Sequence, residues 1–161
     1  CTRRATNSGA KKMLVRAARR VAVTARRATS TVGDNRVVRL QTEDPRMSKI
    51  VIHNGVVYTS GQTAGDAGDC VKAQTQATLD KVDALLKEAG TSKSHALSAT
   101  IWLKDINRDF KGMNEVWNNW VDPTNKPVRA TVEAAMARPV LLVEIQVTAA
   151  LDKNPFEDLN Y

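Results

Sequence analysis

Arg129 and Glu144, both in the last third of the chain, are the two side chains whose chemistry is easiest to put to use. An arginine offers a planar fork that fits a carboxylate, and a glutamate can orient a water molecule and pass on its proton. Both fall in β-rich runs, Val128 to Ala135 and Leu141 to Ala150, joined through Ala137-Arg138-Pro139. If those runs form a hairpin, its turn lies midway between the two positions and the side chains stand opposite each other. Two readings of the pair stay open: a structural cross-strand ion pair, or a clamp and a proton carrier facing one ligand. Other apparatus is sparse. The two histidines, His53 and His95, have no cysteine or carboxylate at metal-ligand spacing, so no metal site is expected and both read as surface or structural residues. Gly61, Gly65 and Gly68 fit neither a dinucleotide fingerprint nor a phosphate loop and read as turn residues. Cys70 has no sequence neighbour that would activate a thiolate, and no Gly-x-Ser-x-Gly elbow occurs.

The elements that must position these residues are legible from periodicity. Lys49 to His53 and Val56 to Ser60 are short β-rich runs around Asn54-Gly55, a strong two-residue hairpin signal. A loop over Thr63 to Asp69 follows, with Asp69 as the expected N-cap of a helix from about Cys70 to Ala89, stopped by Gly90. Val71, Thr75, Leu79, Val82, Leu85, Leu86 and Ala89 make one face of that helix, and Lys72, Lys81, Lys87 and Lys93 read as a solvated surface around it. Leu97, Ala99, Ile101 and Leu103 alternate with polar residues as a strand does. Phe110, Met113, Val116, Trp117 and Trp120 recur at helical spacing from about Arg108 to Val121. These tryptophans, with Trp102, read as core or interface packing. Along the last run Leu141, Val143, Ile145, Val147 and Ala149 point one way and Glu144, Gln146 and Thr148 the other. The order ββαβαββ predicts an α+β sheet with two helices on one face, whose helix-free face is either wet or buried by association.

Charge separates this domain from what precedes it. Residues 1 to 33 hold seven arginines and two lysines and no acid, whereas the rest has 15 basic against 17 acidic side chains, a formal charge of −2. The first segment therefore reads as an arginine-rich, acid-poor organelle-targeting presequence, mitochondrial rather than plastid, cleaved near Arg27 to Ser30. Its alternative is a disordered basic tail that binds RNA or an anionic membrane. Residues 34 to 151 form the folded domain and 152 to 161 a polar tail. Nucleic acid is not an expected partner of the folded part, whose charge is slightly negative. No run approaches the roughly 20 apolar residues of a spanning helix. Cys1 and Cys70 are too few for a disulfide framework, in keeping with a reducing compartment.

Four stretches carry a specific resemblance: Tyr58-Thr59-Ser60-Gly61-Gln62, LDKVDALLKEAG (79 to 90), ATIWLKDINRDFKGMNEVW (99 to 117), and PVRATVEA with ARPVLLVEIQVTAA (127 to 150). In the same order over about Lys49 to Leu151, the chain resembles the RidA/YjgF family of reactive intermediate deaminases, also known as endoribonuclease L-PSP or translation-inhibitor proteins. Its second-helix and C-terminal stretches are nearer to the YoaB-like members than to the archetypal ones.

The resemblance implies a chorismate-mutase-like fold that assembles as a homotrimer, with helix-free faces meeting inside and ligand clefts between subunits. It implies hydrolysis of enamine or imine intermediates such as 2-aminoacrylate to 2-keto acids and ammonia, without a cofactor. Arg129 falls on the family's carboxylate-clamping arginine and Glu144 on its water-positioning glutamate. Ser60 and Gly61 match the loop lining the cleft, and Asn114 an asparagine near the ligand across the interface. Thr131 replaces the family's cysteine, and Met47 stands at the position of the aromatic that commonly covers the pocket. Alternatives of other classes are a non-catalytic trimer that binds a small carboxylate, such as a 2-keto acid, and an RNA-cleaving translation inhibitor.

Overall fold

The computed structural model describes residues 36–152; the proposed presequence of residues 1 to 33, and all of the proposed tail except Asp152, lie outside them. The elements run β1 (Val38–Leu40), β2 (Ile50–His53), β3 (Val56–Thr59), α1 (Val71–Ala89), β4 (Ala96–Leu103), α2 (Ile106–Trp120), β5 (Val128–Glu133) and β6 (Val143–Ala150). They make the expected α+β architecture, two helices on one face of a single sheet, with a short first strand that the sequence pattern does not announce. No helix among the described residues is long and apolar enough to cross a membrane.

Local signals explain most boundaries. Asn54 and Gly55 both have positive φ, at 49° and 73°, so the β2–β3 turn is the mirror-image type whose twist matches the strands. Gly90 ends α1 in the left-handed region at φ 83°, where an L side chain would be strained. The start of α1 differs from expectation: Cys70, not Asp69, is the N-cap, and it makes no side-chain capping bond. Asp105 caps α2 by accepting a hydrogen bond from Arg108 N at 3.0 Å.

The expected β5–β6 hairpin does not form. The sheet order is β1-β2-β3-β6-β4-β5. β5 pairs in parallel with β4, and β6 lies antiparallel between β3 and β4. The reason is the helix between β4 and β5. A strand, a crossover helix and a second strand form a parallel unit, so β5 takes one side of β4 and leaves the other free for β6. The connection over 134–142 is also longer than the two to five residues of ordinary hairpin loops.

α1 lays Leu79, Val82 and Leu86 on Ile50, Val57, Ile145 and Val147, while Met113, Trp117 and Trp120 of α2 complete the same core. Phe110, expected on that face, is 42% exposed; its neighbour Asp109 is buried instead, bonded by the Arg108 guanidinium at 2.6 and 2.8 Å. Leu97 also points outward, because the β4–β6 register shifts between Ala96 and Ser98 and the bulge rotates that one residue out of phase. Fully buried Gln74 joins three segments: its Nε2 donates to Gly68 O (2.7 Å) and Val140 O (2.8 Å), and its Oε1 accepts from Leu142 N (2.9 Å). It fastens the approach to β6 onto α1.

Candidate functional site

β5 is the edge strand beyond β4, and its alternation sends Arg129 and Thr131 to the helix-bearing side. Arg129 is in register with Ala99, and Thr131 with Ile101, both of them core residues. The Arg129 guanidinium is half-buried there. Its Nη1 donates to Asn114 Oδ1 at 2.8 Å, and its Cζ lies 5.2 Å from the centre of the Trp117 ring. The hydrogen bond and the cation–π contact fix the plane of the fork. Burial lowers its pKa from the usual arginine value, yet an arginine stays charged throughout the physiological range. Among the described residues the rest of the fork is unengaged. Thr131 Oγ1, on the same strand and face, is buried without a hydrogen-bond partner among the described residues. An orphaned buried hydroxyl costs about 1–3 kcal/mol, which a ligand group or neighbouring chain could recover.

Glu144 occupies the opposite side. It is in register with Trp102 on β4, which is in turn in register with Val132 of β5, and that row faces away from the helices. β4 runs between the strands of Arg129 and Glu144. The two residues are thus separated by roughly 10 Å across the sheet and roughly 10 Å along it, on opposite faces. The sequence expectation of a facing cross-strand pair is therefore corrected, and an ion pair within one chain is excluded by the same geometry.

Ser60 and Gly61 reach Glu144 through a bulge. Tyr58 pairs with Thr148 while Gln62 pairs with Ile145, so the strand leaving β3 carries one residue more than the stretch of β6 it faces. Gln62 locks the bulge: its backbone exchanges hydrogen bonds with Ile145 (2.8 and 3.0 Å), and its Nε2 donates to Ser60 Oγ at 2.8 Å. The Glu144 carboxylate packs directly over Gly61; a Cβ there would lie 1.9 Å from Oε1. A cleft of about 470 Å³ opens beside this loop, lined by Met47, Lys49, Gly61, Lys81, Leu85 and Arg138 among others.

The sequence-predicted residues thus form two half-sites, Arg129 with Asn114 and Thr131 at the edge of the helix-bearing face, and Ser60 and Gly61 with Glu144 at the bulge. Neither histidine joins them: His95 Nε2 lies 3.2 Å from Asp152, and His53 Nδ1 lies 3.4 Å from Arg36 O. Among the described residues no group of three or more His, Cys, Asp or Glu is placed to hold a metal. Sequence reasoning missed Trp117 as the shelf beneath Arg129. The signal was present, since Asn114 and Trp117 are three apart and share a helix face. Of the lysines around α1, Lys72, Lys81 and Lys87 are exposed as expected and Lys93 is half-buried; Lys72 pairs with Glu115, Lys81 donates to Thr63 O at 2.7 Å, and Lys93 stands 5.6 Å above the Trp120 ring.

Both the sequence and the fold match known proteins. A family model described as Endoribonuclease L-PSP matches residues 40–151. The RutC family protein YoaB of Escherichia coli K12 is 42% identical over 115 residues, covering 71% of this chain and 98% of the relative. A RutC family protein of Haemophilus ducreyi is 40% identical over 107 residues, covering 66% of this chain and 91% of the relative. The crystal structure of a YjgF-family member from Neisseria meningitidis matches with a TM-score of 0.71 at 38% identity, over 74% of this chain and 98% of that one. Matched from the end of β1 through β6, and with relatives covered along nearly their whole length, the chain belongs to the endoribonuclease L-PSP family of YjgF and RutC proteins.

Proposed function

We propose that the protein hydrolyses reactive 2-imino acids and their enamine tautomers, of the 2-aminoacrylate type, to 2-keto acids and ammonia. The observation that carries this reading is the Arg129 guanidinium, half-buried, held by Asn114 and Trp117, and otherwise unengaged among the described residues. A cation so placed suits a small carboxylate bound at two points. The enamine first tautomerises to the imine. Water then adds its oxygen to the imine carbon while a proton passes to nitrogen, and ammonia leaves as the carbonyl forms. Arg129 holds the carboxylate and draws electron density from the adjacent carbon; Glu144 holds the water and carries its proton.

Since Arg129 and Glu144 lie on opposite faces of one sheet, each site in this reading is built from two copies of the chain. The helix-free face supports such an assembly: Tyr58 is 46% exposed and Val128 73%, on one register row, and Val132 follows on the same face. A homotrimer closes the row and brings one copy's Arg129 edge to the next copy's bulge.

The test is to generate 2-aminoacrylate or larger imines in situ with a dehydratase or amino-acid oxidase and follow 2-keto acid formation. Acceleration that falls about tenfold or more in Arg129→Ala supports the assignment; normal turnover by that variant ends it. The second reading, a trimeric binder of small carboxylates, draws on the same clamp and predicts saturable 2-keto acid binding with no turnover of any imine.

A further inference from the structure

The cleft beside Gly61 has a charge character that the reaction itself does not require. Lys49, Lys81 and Arg138 line it, and no acidic residue does. Lys81 is anchored, donating to Thr63 O at 2.7 Å and standing 3.9 Å from Asp66, an acid whose side chain is 87% exposed. Asp44, whose carboxyl also feels the charge of Lys49, is paired with Arg46 at 2.8 Å, and Glu88 is engaged with the Gln41 amide. Among the described residues, the Lys49 ammonium and the Arg138 guanidinium have no hydrogen-bond or ion-pair partner. Three cations from three separate segments, the β1–β2 loop, α1 and the loop before β6, thus converge on one small concavity. Its remaining wall includes Met47 and Leu85. The volume lies in the range that holds a small molecule, and cations gathered in a concave site focus their field on whatever enters it.

We propose that this cleft receives the side chain of the substrate and selects 2-imino acids that carry a second carboxylate. The inference rests on the deaminase reading of the Arg129 and Glu144 half-sites. A substrate fixed by its 2-carboxylate on Arg129 presents its imine carbon to the water held by Glu144. Glu144 packs on Gly61 from the helix-free side and the cleft walled by Lys81 and Leu85 of α1 also borders Gly61, so the substituent on the imine carbon enters the cleft past this glycine. Methylene groups meet Met47 and Leu85, while the distal carboxylate meets Lys49, Lys81 and Arg138. Reading the lysine of α1 as a solvated face overlooked this because its two companions come from loops 32 and 57 residues away in sequence.

The test compares two imines, one made from 2-aminobutyrate and one from glutamate by the matching oxidases, together with calorimetric titration of 2-oxobutyrate and 2-oxoglutarate. Wild type is expected to favour the dicarboxylic member of each pair by about tenfold or more. In Lys49→Met/Lys81→Met/Arg138→Met that ratio falls to near one, and Arg138→Glu alone reverses it, whereas Lys87→Met, which removes a lysine from α1 outside the cleft, keeps it. Equal handling of the two imines by wild type, or a ratio unchanged in the triple variant, overturns the proposal while leaving the deaminase reading intact. No turnover of either imine, with 2-oxoglutarate still preferred and the preference lost in the triple variant, defeats the deaminase reading and leaves the dicarboxylate site standing.

Discussion

The Glu144 carboxylate rests on the bare Cα of Gly61, so closely that a single added methyl group would lie 1.9 Å from Oε1. Gly61→Ala must displace Glu144 because the bulge is held by Gln62 and the carboxylate is the freer of the two. Expected is a fall in kcat of about tenfold or more with a melting temperature close to wild type, since the displaced group is a side-chain end. A full-rate Gly61→Ala enzyme would show that Glu144 has no positional duty.

A site shared between copies has a signature that no single-chain site can imitate. Arg129→Ala and Glu144→Gln each lose activity alone, but unfolding and refolding them together at equal concentrations restores about a quarter of the sites of a closed ring, those with both residues intact. Absence of any recovery on mixing would contradict the two-copy arrangement.

Trp117 supports Arg129 from below. Trp117→Phe keeps an aromatic face but a weaker one, so a loss of about 0.5–1 kcal/mol of cation–π attraction should raise KM a few fold with kcat nearly unchanged. Asn114→Ala, which removes a hydrogen bond to a charged group, should raise KM further, by about tenfold or more. KM values unchanged from wild type in both variants would assign the aromatic and amide contacts to packing alone.

Gln74 is a structural test. Gln74→Leu keeps the bulk, strands Leu142 N in the interior and takes the amide donor from Gly68 O and Val140 O nearer the surface. The expected destabilisation is about 1–3 kcal/mol, read as a lower urea midpoint at unchanged slope. A midpoint within error of wild type would refute the role given to this residue.

Asp122 follows α2 and shapes the turn that delivers β5. Hydrogen bonds from Ser94, Thr124 and Asn125 hold its carboxyl well below its ordinary value near 3.8. A depressed folded pKa means stability that is present above the unfolded value and lost as pH falls below it. Wild type should therefore lose stability more steeply between about pH 4.5 and 2 than Asp122→Asn does, as measured by thermal unfolding across that range. Parallel curves would remove Asp122 from the acid response.

What could be read in advance follows from how local each signal is. Asn54-Gly55 and Gly90 state their own backbone conformations, and the alternation from Val143 to Ala149 survives as β6, whereas Leu141 and Leu142, expected to alternate ahead of it, are both buried before the strand begins. Leu97 was misjudged because a bulge is decided by the partner strand, and Phe110 because the Arg108 guanidinium pairs with Asp109 and lets that carboxylate be buried in its place. The pairing of Arg129 with Glu144 failed for a different reason. Nothing within residues 128–150 reveals that β4 will lie between them; that depends on the crossover helix and on which edge it leaves open. The strand that each residue sits on was legible, and the division of Arg129 and Glu144 between two faces was not.

β6 also governs when the molecule can fold. The last strand among the described residues is the one that joins β3 to β4, and the bond from Thr59 Oγ1 to Val147 O spans 88 positions of the sequence. Such long-range closure is slow, and until it happens β1–β2–β3 and β4–β5 are two separate ribbons, each with a raw hydrogen-bonding edge. A chain emerging from the ribosome therefore holds both strand edges open until β6 is free, which makes β6 the segment that turns two ribbons into one sheet.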